Sequence, residues 1–474
     1  MRLSELIADL PSQVYKMKDI EIDSIDYDSR KVGPGSLYIA VKGALHDGHD
    51  FVSDVEKAGA VAVVTERRVD TDLPQIVLTN TREAAGKLAL RFYGNFAEMA
   101  KVGVTGTNGK TTTTFLIHSI LSQAGKNPGL IGTIYYLGIS KSQAIRTTPE
   151  IIDILKLLKK FRDQGICSLV MEVSSHALKL GRVDGIDFDA AVFTNLSQDH
   201  LDFHLTMEDY LQSKLRIFSL LKPSGWAIYN NDEDIRDAVA SMTLPWSLSF
   251  GQTEGSDIRG RLVEQSIDGL RIEISYGKRI LEVKSPLIGR FNFHNILAAF
   301  AAGVALDVPV DRIAEGIEKL RFVPGRMERI ADNVFVDYAH TPAAIESILR
   351  SAREYVRGRL IVIFGCGGDR DRDKRAKMGA LATELSDLAV ITTDNPRHEK
   401  PSDIIRDILQ GVTGKNYKMI EDRAEAIEYA IKSKKDDDMV IVAGKGHEEY
   451  QVFDDKRIDF SDTEVIKKCF ENIL

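Results

Sequence analysis

Short runs of β-branched and other apolar residues alternate with longer amphipathic stretches along the chain. Strands are predicted at Val61 to Thr65, Lys101 to Thr105, Leu169 to Val173, Ala190 to Thr194, Leu360 to Phe364, Leu388 to Thr392 and Met439 to Ala443. Strands spaced by helix-length segments predict βα units, mostly parallel sheets and an α/β fold class. Ile258 to Leu287 departs from this rhythm. Its alternation, broken by turn signals at Asp268-Gly269 and Gly277-Lys278, predicts antiparallel strands appended to a parallel sheet. From Met207 to Leu221 the residues Met207, Tyr210, Leu211, Lys214, Leu215, Phe218 and Leu221 share one helix face, with Thr206 as N-cap and Glu208 and Asp209 in the first turn. Lys214 sits in the middle of that apolar stripe. Either its stem packs while the amine snorkels outward, or the amine is held inside, where burial lowers its pKa and makes it reactive.

The 474 residues suit about three domains. The pattern breaks near Gly94 to Ala100 and at Phe322-Val323-Pro324-Gly325. We therefore expect a small α/β N-terminal domain over 1–98, a central domain over 99–325 built on a P-loop-type, mostly parallel sheet, and a Rossmann-like C-terminal domain over 326–474. Composition narrows the class: 43% of residues are hydrophobic and 28% charged, as in ordinary globular proteins. A net charge of -8 without a basic block argues against nucleic acid as a partner. Three scattered cysteines, Cys167, Cys366 and Cys469, make neither a disulfide framework nor a zinc site and point to a reducing compartment. Met1 to Leu10 lacks the basic and apolar regions of a secretion signal, and no membrane span is expected.

Chemistry concentrates after strands. Val102-Gly103-Val104-Thr105-Gly106-Thr107-Asn108-Gly109-Lys110-Thr111-Thr112 has the layout of a phosphate loop: glycines that turn backbone N–H groups toward phosphates, a lysine, and a hydroxyl for Mg²⁺. The strict pattern fails only in its first glycine, which is Val104 here. Glu172 closes a strand beside it, where a carboxylate is well placed for Mg²⁺. His200, within Thr194 to His204, is either a ligand in a mixed oxygen and nitrogen shell or the cap of a loop. Near the start, Asp28-Ser29-Arg30 and Gly43-Ala44-Leu45-His46-Asp47-Gly48-His49 are polar loops. Late in the chain, Gly365 to Arg375, Asp394-Asn395-Pro396-Arg397 and Gly444-Lys445-Gly446-His447-Glu448 each follow an apolar strand and should gather at one sheet edge. Asp394 and Glu448 suit ammonium groups. Arg370 and Arg397 suit carboxylates, so a zwitterion with an additional amino and carboxyl end fits the edge.

The run Gly-Thr-Asn-Gly-Lys-Thr-Thr at Gly106 to Thr112 resembles the nucleotide loop of the Mur ligases, and motifs in that family's order extend from Ser29 to Glu448. Folylpolyglutamate synthases share the nucleotide loop but not the uridine-binding block at the start. The resemblance implies an ATP-dependent ligase that joins meso-2,6-diaminopimelate to the D-glutamate side chain of UDP-N-acetylmuramoyl-L-alanyl-D-glutamate in peptidoglycan synthesis. Ligases that add L-lysine usually lack the arginine of Asp-Asn-Pro-Arg. The remaining alternative is a nucleotide-regulated binding protein without catalysis.

It further implies an ATP site of Gly106, Thr107, Asn108, Gly109, Lys110, Thr111, Thr112, Asn292, Asn295, Arg326 and Asp337, although an asparagine at 292 or 295 is equally an N-cap. Ser29, His46, Asp47, Gly48, His49, Asn108, Thr147, Thr148, Ser174 and Arg182 would hold the nucleotide-linked substrate. Arg370, Asp394, Asn395, Pro396, Arg397, Gly444 and Glu448 would hold the amino acid. Lys110, Glu172, His200 and Lys214 would be catalytic, with Thr111, Glu172, His200 and a Lys214 carbamylated by CO₂ around Mg²⁺. The same resemblance implies a cytoplasmic monomer.

Overall fold

The structure, a computed structural model, describes residues 1–43, 46–138, 141–144 and 146–471. Cα packing divides the chain into two compact units: Met1–Asp257 with Ala298–Ile313, and Ile258–Leu297 with Ala314–Leu474. The class is α/β, as the alternating pattern predicts. Among the described residues no helix is long and apolar enough to cross a membrane.

The first unit holds two sheets. The smaller runs Gln13–Tyr15, Gln75–Val77, Ala62–Thr65, Ser36–Ile39, Ser24–Asp26, parallel except for its first pair. In the larger, six parallel strands lie in the order Trp246–Gly251, Leu221–Asn230, Phe188–Phe193, Ala100–Thr105, Ser168–Glu172, Pro128–Ile131. Tyr135–Leu137 and Lys141–Gln143 continue it antiparallel. The chain leaves Ala100–Thr105 for one side of the sheet and later returns to fill the other. Such a reversal opens a crevice beyond the carboxyl ends of the strands. The register puts Glu172 beside Val104 and Phe193 beside Thr105, so both flanking strands end level with the start of the glycine loop.

The second unit contains the antiparallel meander Ile258–Ser266, Gly269–Tyr276, Arg279–Ser285, with its turns at the two predicted places. Its main sheet runs Glu328–Ala331, Val334–Asp337, Met439–Ala443, Leu360–Phe364, Leu388–Ile391, Tyr417–Met419, parallel after the first strand. Every residue of Leu360–Phe364 and Met439–Ala443 is buried. That is why these strands read as unbroken apolar runs: helices cover both faces of a parallel sheet. Because the strands are parallel, Asp337, Phe364, Ile391 and Ala443 end along one edge, and the three late loops start there.

One sequence expectation needs correction. The apolar face Met207 to Leu221 is not a single helix. The α-helix spans Met207–Leu215, a tighter turn covers Arg216–Leu220, and Leu221 already begins the strand Leu221–Asn230. Helical periodicity persisted because Ile217 and Phe218 are buried in the same core, although the backbone has changed. Truncating the wholly buried Ile441→Ala in the middle of Met439–Ala443 should cost about 2–5 kcal/mol. It should appear as an earlier chemical unfolding transition, and an unchanged transition would mean the strand is not core.

Candidate active site

Gly106 follows the strand Ala100–Thr105 with φ 144°, and a Cβ there would lie 1.9 Å from Thr194 Oγ1. Only glycine lets the loop close so tightly on the neighbouring strand end. Thr194 Oγ1 donates to the Asn108 carbonyl at 2.6 Å, Asn195 Oδ1 accepts from Asn108 N at 2.9 Å, and Thr107 Oγ1 donates to the Ser197 carbonyl at 3.1 Å. Gly109 is left-handed and caps the helix Lys110–Gln123, whose first turn buries Thr111 and Thr112. The helix N-terminus with this fixed loop is a ready anion cradle. Thr194, Asn195 and Ser197 were not singled out from sequence. Each lies in the quoted Thr194 to His204 run but looks like ordinary loop polarity there.

The lysines converge. Lys110 Nζ donates to the carbonyls of Gly106 at 2.8 Å and Thr107 at 3.0 Å. Lys214 Nζ donates to the same Gly106 carbonyl at 2.7 Å and lies 4.5 Å from the centre of the Tyr210 ring. Lys214 is 1% exposed, which decides between the two readings of its place in the stripe: the amine is inside. Burial, reinforced by the charge of Lys110, holds its pKa well below the usual lysine value, with Asp199 opposing. Thr206 caps its helix by accepting from Asp209 N at 3.1 Å, as predicted.

Glu172, buried at the strand end, accepts from Thr111 Oγ1 at 3.1 Å, Thr133 N at 2.7 Å and Thr133 Oγ1 at 3.0 Å. Thr133 is a further residue that sequence did not reveal. His200 has φ 53° and stands at the N-cap position of the short helix Leu201–His204 without a side-chain cap bond, its Nε2 3.5 Å from Asp199. Burial, followed by the opposing Asp199 and then by Lys110 and Lys214, leaves its pKa lowered. Its ring meets His176 edge-on at 4.8 Å, and His176 stacks on Phe203.

Thr147, Thr148 and Ser174 gather around Glu172. Thr147 Oγ1 lies 3.1 Å from Thr133 Oγ1, Thr148 Oγ1 donates to the Glu172 carbonyl at 2.9 Å, and Ser174 N donates to Thr148 Oγ1 at 3.0 Å. Arg182 Nε lies 2.9 Å from Glu150, a carboxylate also approached by Arg82 at 3.1 Å and Arg146 at 3.3 Å. Three guanidinium groups on one carboxylate leave a positive surplus there. Ser29 starts a short turn capped by Asp28. Of the second polar loop, Ala44 and Leu45 lie outside the described residues, and His46 is exposed. His49 is buried. Its Nδ1 donates to Asp47 at 2.6 Å while Nε2 accepts from Glu66 N at 2.8 Å. Both ring nitrogens are thus used within the fold. The Gly48 carbonyl accepts from Tyr38 at 2.9 Å. Asp47 and His49 hold this loop in shape.

In the second unit, Asn292 Nδ2 donates to the Ile288 carbonyl at 2.8 Å and Asn295 Nδ2 donates to Asn292 Oδ1 at 2.9 Å. Asn292 thus bonds backward instead of capping the helix. Asp337 accepts from Met327 N at 2.7 Å and Ala339 N at 2.8 Å, and burial raises its pKa. Arg326 lies over the Tyr338 ring at 4.9 Å.

The late loops do meet at one edge. Gly444 N donates to the Asp337 carbonyl at 3.1 Å. Gly368 packs so close to Pro396 that a Cβ would lie 1.8 Å from its carbonyl oxygen. Arg397 has a left-handed backbone, φ 52°, held by bonds to the ribbon Tyr450–Phe453/Lys456–Asp459: its N–H donates to the Val452 carbonyl at 3.0 Å and its carbonyl accepts from Asp454 N at 2.8 Å. Its Nη1 donates to the Gly368 carbonyl at 2.7 Å. Asn395 donates to Glu448 at 2.9 Å and accepts from the buried Lys445 at 3.1 Å. Lys445 also donates to Glu448 at 2.8 Å. Asp394 accepts from Asn395 N, while its Oδ2 is buried without a hydrogen bond. Arg370 is exposed and donates to the Asp369 carbonyl at 3.1 Å, and its Cγ and Arg397 Nη1 both lie within 4 Å of where a Cβ on Gly367 would stand.

The sequence matches three family models in chain order: the Mur ligase family catalytic domain over 21–93, the Mur ligase middle domain over 104–303, and the Mur ligase glutamate ligase domain over 325–446. The chain belongs to the Mur ligase family. It is an ATP-dependent, amide-forming ligase of α/β architecture. It is 42% identical over 480 residues, covering 98% of both chains, to a UDP-N-acetylmuramoyl-L-alanyl-D-glutamate–2,6-diaminopimelate ligase of Bacillus velezensis. To the ligase of that name from Clostridium tetani it is 41% identical over all of both chains. A solved structure of a ligase so named superposes with TM-score 0.68 at 31% identity, covering 96% of this chain and 97% of that one.

The Gly365 to Arg375 loop is anchored by Arg375, whose guanidinium grips Glu399 with two bonds at 2.8 and 2.9 Å. That grip, against the opposing effect of burial and with help from Asp369 N, holds the Glu399 carboxyl down to about 2. A depressed carboxyl stabilises the fold above its unfolded value and loses that contribution as pH falls through the folded one. We expect thermal stability to decline between about pH 4.5 and about pH 2 as Glu399 protonates, and Glu399→Gln to flatten that decline. An acid limb of unchanged slope in the variant would contradict this.

Proposed function

We propose that this ligase joins meso-2,6-diaminopimelate to the D-glutamate side-chain carboxylate of UDP-N-acetylmuramoyl-L-alanyl-D-glutamate, converting ATP to ADP and phosphate. The observation that carries the reading is the acceptor edge: Asp394 and Glu448 for amino groups and Arg397 for a carboxylate, in a chain whose other unit bears a phosphate cradle. The substrate carboxylate attacks the γ-phosphorus, its P–O bond to ADP breaks, and an acyl phosphate forms. The acceptor amine, having lost a proton, then bonds the acyl carbon, and phosphate leaves as the amide forms. Lys110 and the backbone N–H groups of Gly106 to Thr112 hold the phosphates and offset the repulsion between two anions. Asn292, Asn295, Arg326 and Asp337 flank the adenosine. Ser29, the His46 to His49 loop, Asn108, Thr147, Thr148, Ser174 and Arg182 hold the nucleotide-linked dipeptide. Three segments, 1–98, 99–325 and 326–474, divide the work of binding uridine nucleotide, ATP and amino acid.

The donor set fits Mg²⁺. Thr111 and Glu172 stand 3.1 Å apart as a hydroxyl and carboxylate pair at a phosphate loop. Among the described residues no three His, Cys, Asp or Glu side chains form a metal cage, but Mg²⁺ with phosphates takes only one or two carboxylates. Bound there, the cation would neutralise triphosphate charge. A second would be held by His200 and a carbamylated Lys214. The burial of the Lys214 amine supports this reading, since carbamylation needs an amine whose free lone pair bonds the CO₂ carbon with release of one proton. Three free cysteines agree with the cytoplasm, where the enzyme works as a monomer.

ADP formation measured with the muramyl dipeptide nucleotide and each amino acid in turn tests the reaction. Diaminopimelate should support turnover and L-lysine should fall at least ~100-fold behind, the loss of one charge-assisted carboxylate contact. Equal rates would overturn the acceptor assignment, and no ADP with either would overturn the reaction. Lys214→Ala should lose at least ~100-fold in kcat, in line with loss of a charge-stabilising group, and regain part of it with short carboxylates. Full activity without additive would refute the carbamate.

A further inference from the structure

Beneath the acceptor edge lies an ion pair that none of its loop motifs contains. Arg423 opens the helix Arg423–Ser433 and Asp462 opens the helix Asp462–Glu471, and both side chains are wholly buried. Arg423 Nε donates to Asp462 Oδ1 and Nη2 to Asp462 Oδ2, each at 2.7 Å. The same guanidinium reaches two strand ends: Nη2 donates to the Ala443 carbonyl at 2.9 Å and Nη1 to the Thr393 carbonyl at 3.5 Å. Thr393 immediately precedes Asp394, and Ala443 immediately precedes Gly444. Arg423 thus ties together the roots of the two loops that carry Asp394 and Glu448.

Stability alone is a poor reason for this arrangement. A buried ion pair costs desolvation, and apolar residues of similar size often serve a core as well or better. What apolar residues do not supply is a planar fork that fixes two carbonyls against one carboxylate.

We propose that Arg423 and Asp462 are positioning residues for acceptor selection: they set the separation of the Asp394 and Glu448 loops at which a zwitterion's ammonium is gripped. The proposal rests on the reading of this edge as the amino-acid site. It is tested on the full-length enzyme with Arg423→Met/Asp462→Leu, which removes both charges together, and with Arg423→Lys, which keeps the charge but loses the fork.

KM is measured separately for diaminopimelate, ATP and the nucleotide dipeptide. The double variant should raise the diaminopimelate KM by at least ~10-fold and leave the other two within about twofold, with Arg423→Lys in between. An unchanged diaminopimelate KM in either folded variant overturns the proposal, and so does an equal rise for all three substrates, which marks a merely structural pair. If the double variant does not fold, Arg423→Lys alone decides by the same criterion. A wild-type enzyme that uses no amino acid would fail the acceptor reading itself, and this proposal with it. Normal wild-type turnover with unmoved variants fails this proposal alone.

Discussion

Two amino groups, those of Lys110 and Lys214, meet at one carbonyl oxygen, that of Gly106. Two full charges so placed would repel strongly in a buried site. The fold buries one of them: burial and the charge of Lys110 hold the Lys214 pKa well below the usual lysine value. Everything around Gly106 serves that encounter. Thr194 closes on it, Asn195 and Ser197 pin the residues after it, and the capped helix Met207–Leu215 brings Lys214 to its carbonyl. A loop held by so many bonds is pre-organised.

The strand rhythm was legible because parallel strands buried on both faces must be apolar throughout. Leu360–Phe364 and Met439–Ala443 appear where the pattern puts them. Gly106 to Thr112 was legible because a phosphate loop needs residues that little else needs. Lys214 was legible as an anomaly but not as an outcome, since a lysine within a stripe either snorkels or stays inside, and only tertiary packing decides. The end of its helix was misread for a related reason: Ile217 and Phe218 belong to the same core, so burial kept the period after the backbone had tightened.

Other parts left no trace in the sequence. Thr133, which holds Glu172 with both its N–H and its hydroxyl, sits in a stretch with no distinctive pattern. The ribbon Tyr450–Phe453/Lys456–Asp459 consists of two short strands without strong alternation, yet it fixes the backbone of Arg397. His49 has a structural role that the sequence does not show. A histidine in a polar loop looks like a ligand contact, while its two nitrogens are used to hold the loop together.

The edge that carries the late loops shows why a parallel sheet suits a site with many contributors. Residues far apart in sequence, Gly368, Asp394 and Glu448, are neighbours only because three strands end level. Such an edge is open and its loops need anchorage from below, and the anchors are charged: Arg375 under the first loop, Arg423 under the roots of the other two, Lys445 between Asn395 and Glu448. Buried cations are costly unless carboxylates answer them, so the anchors bring carboxylates with them. At Glu399 and Asp462 those carboxylates are fully occupied. At Asp394 one oxygen has no donor. The edge is therefore held by satisfied charges at Glu399 and Asp462, and Asp394 is where one carboxylate oxygen is left without a donor.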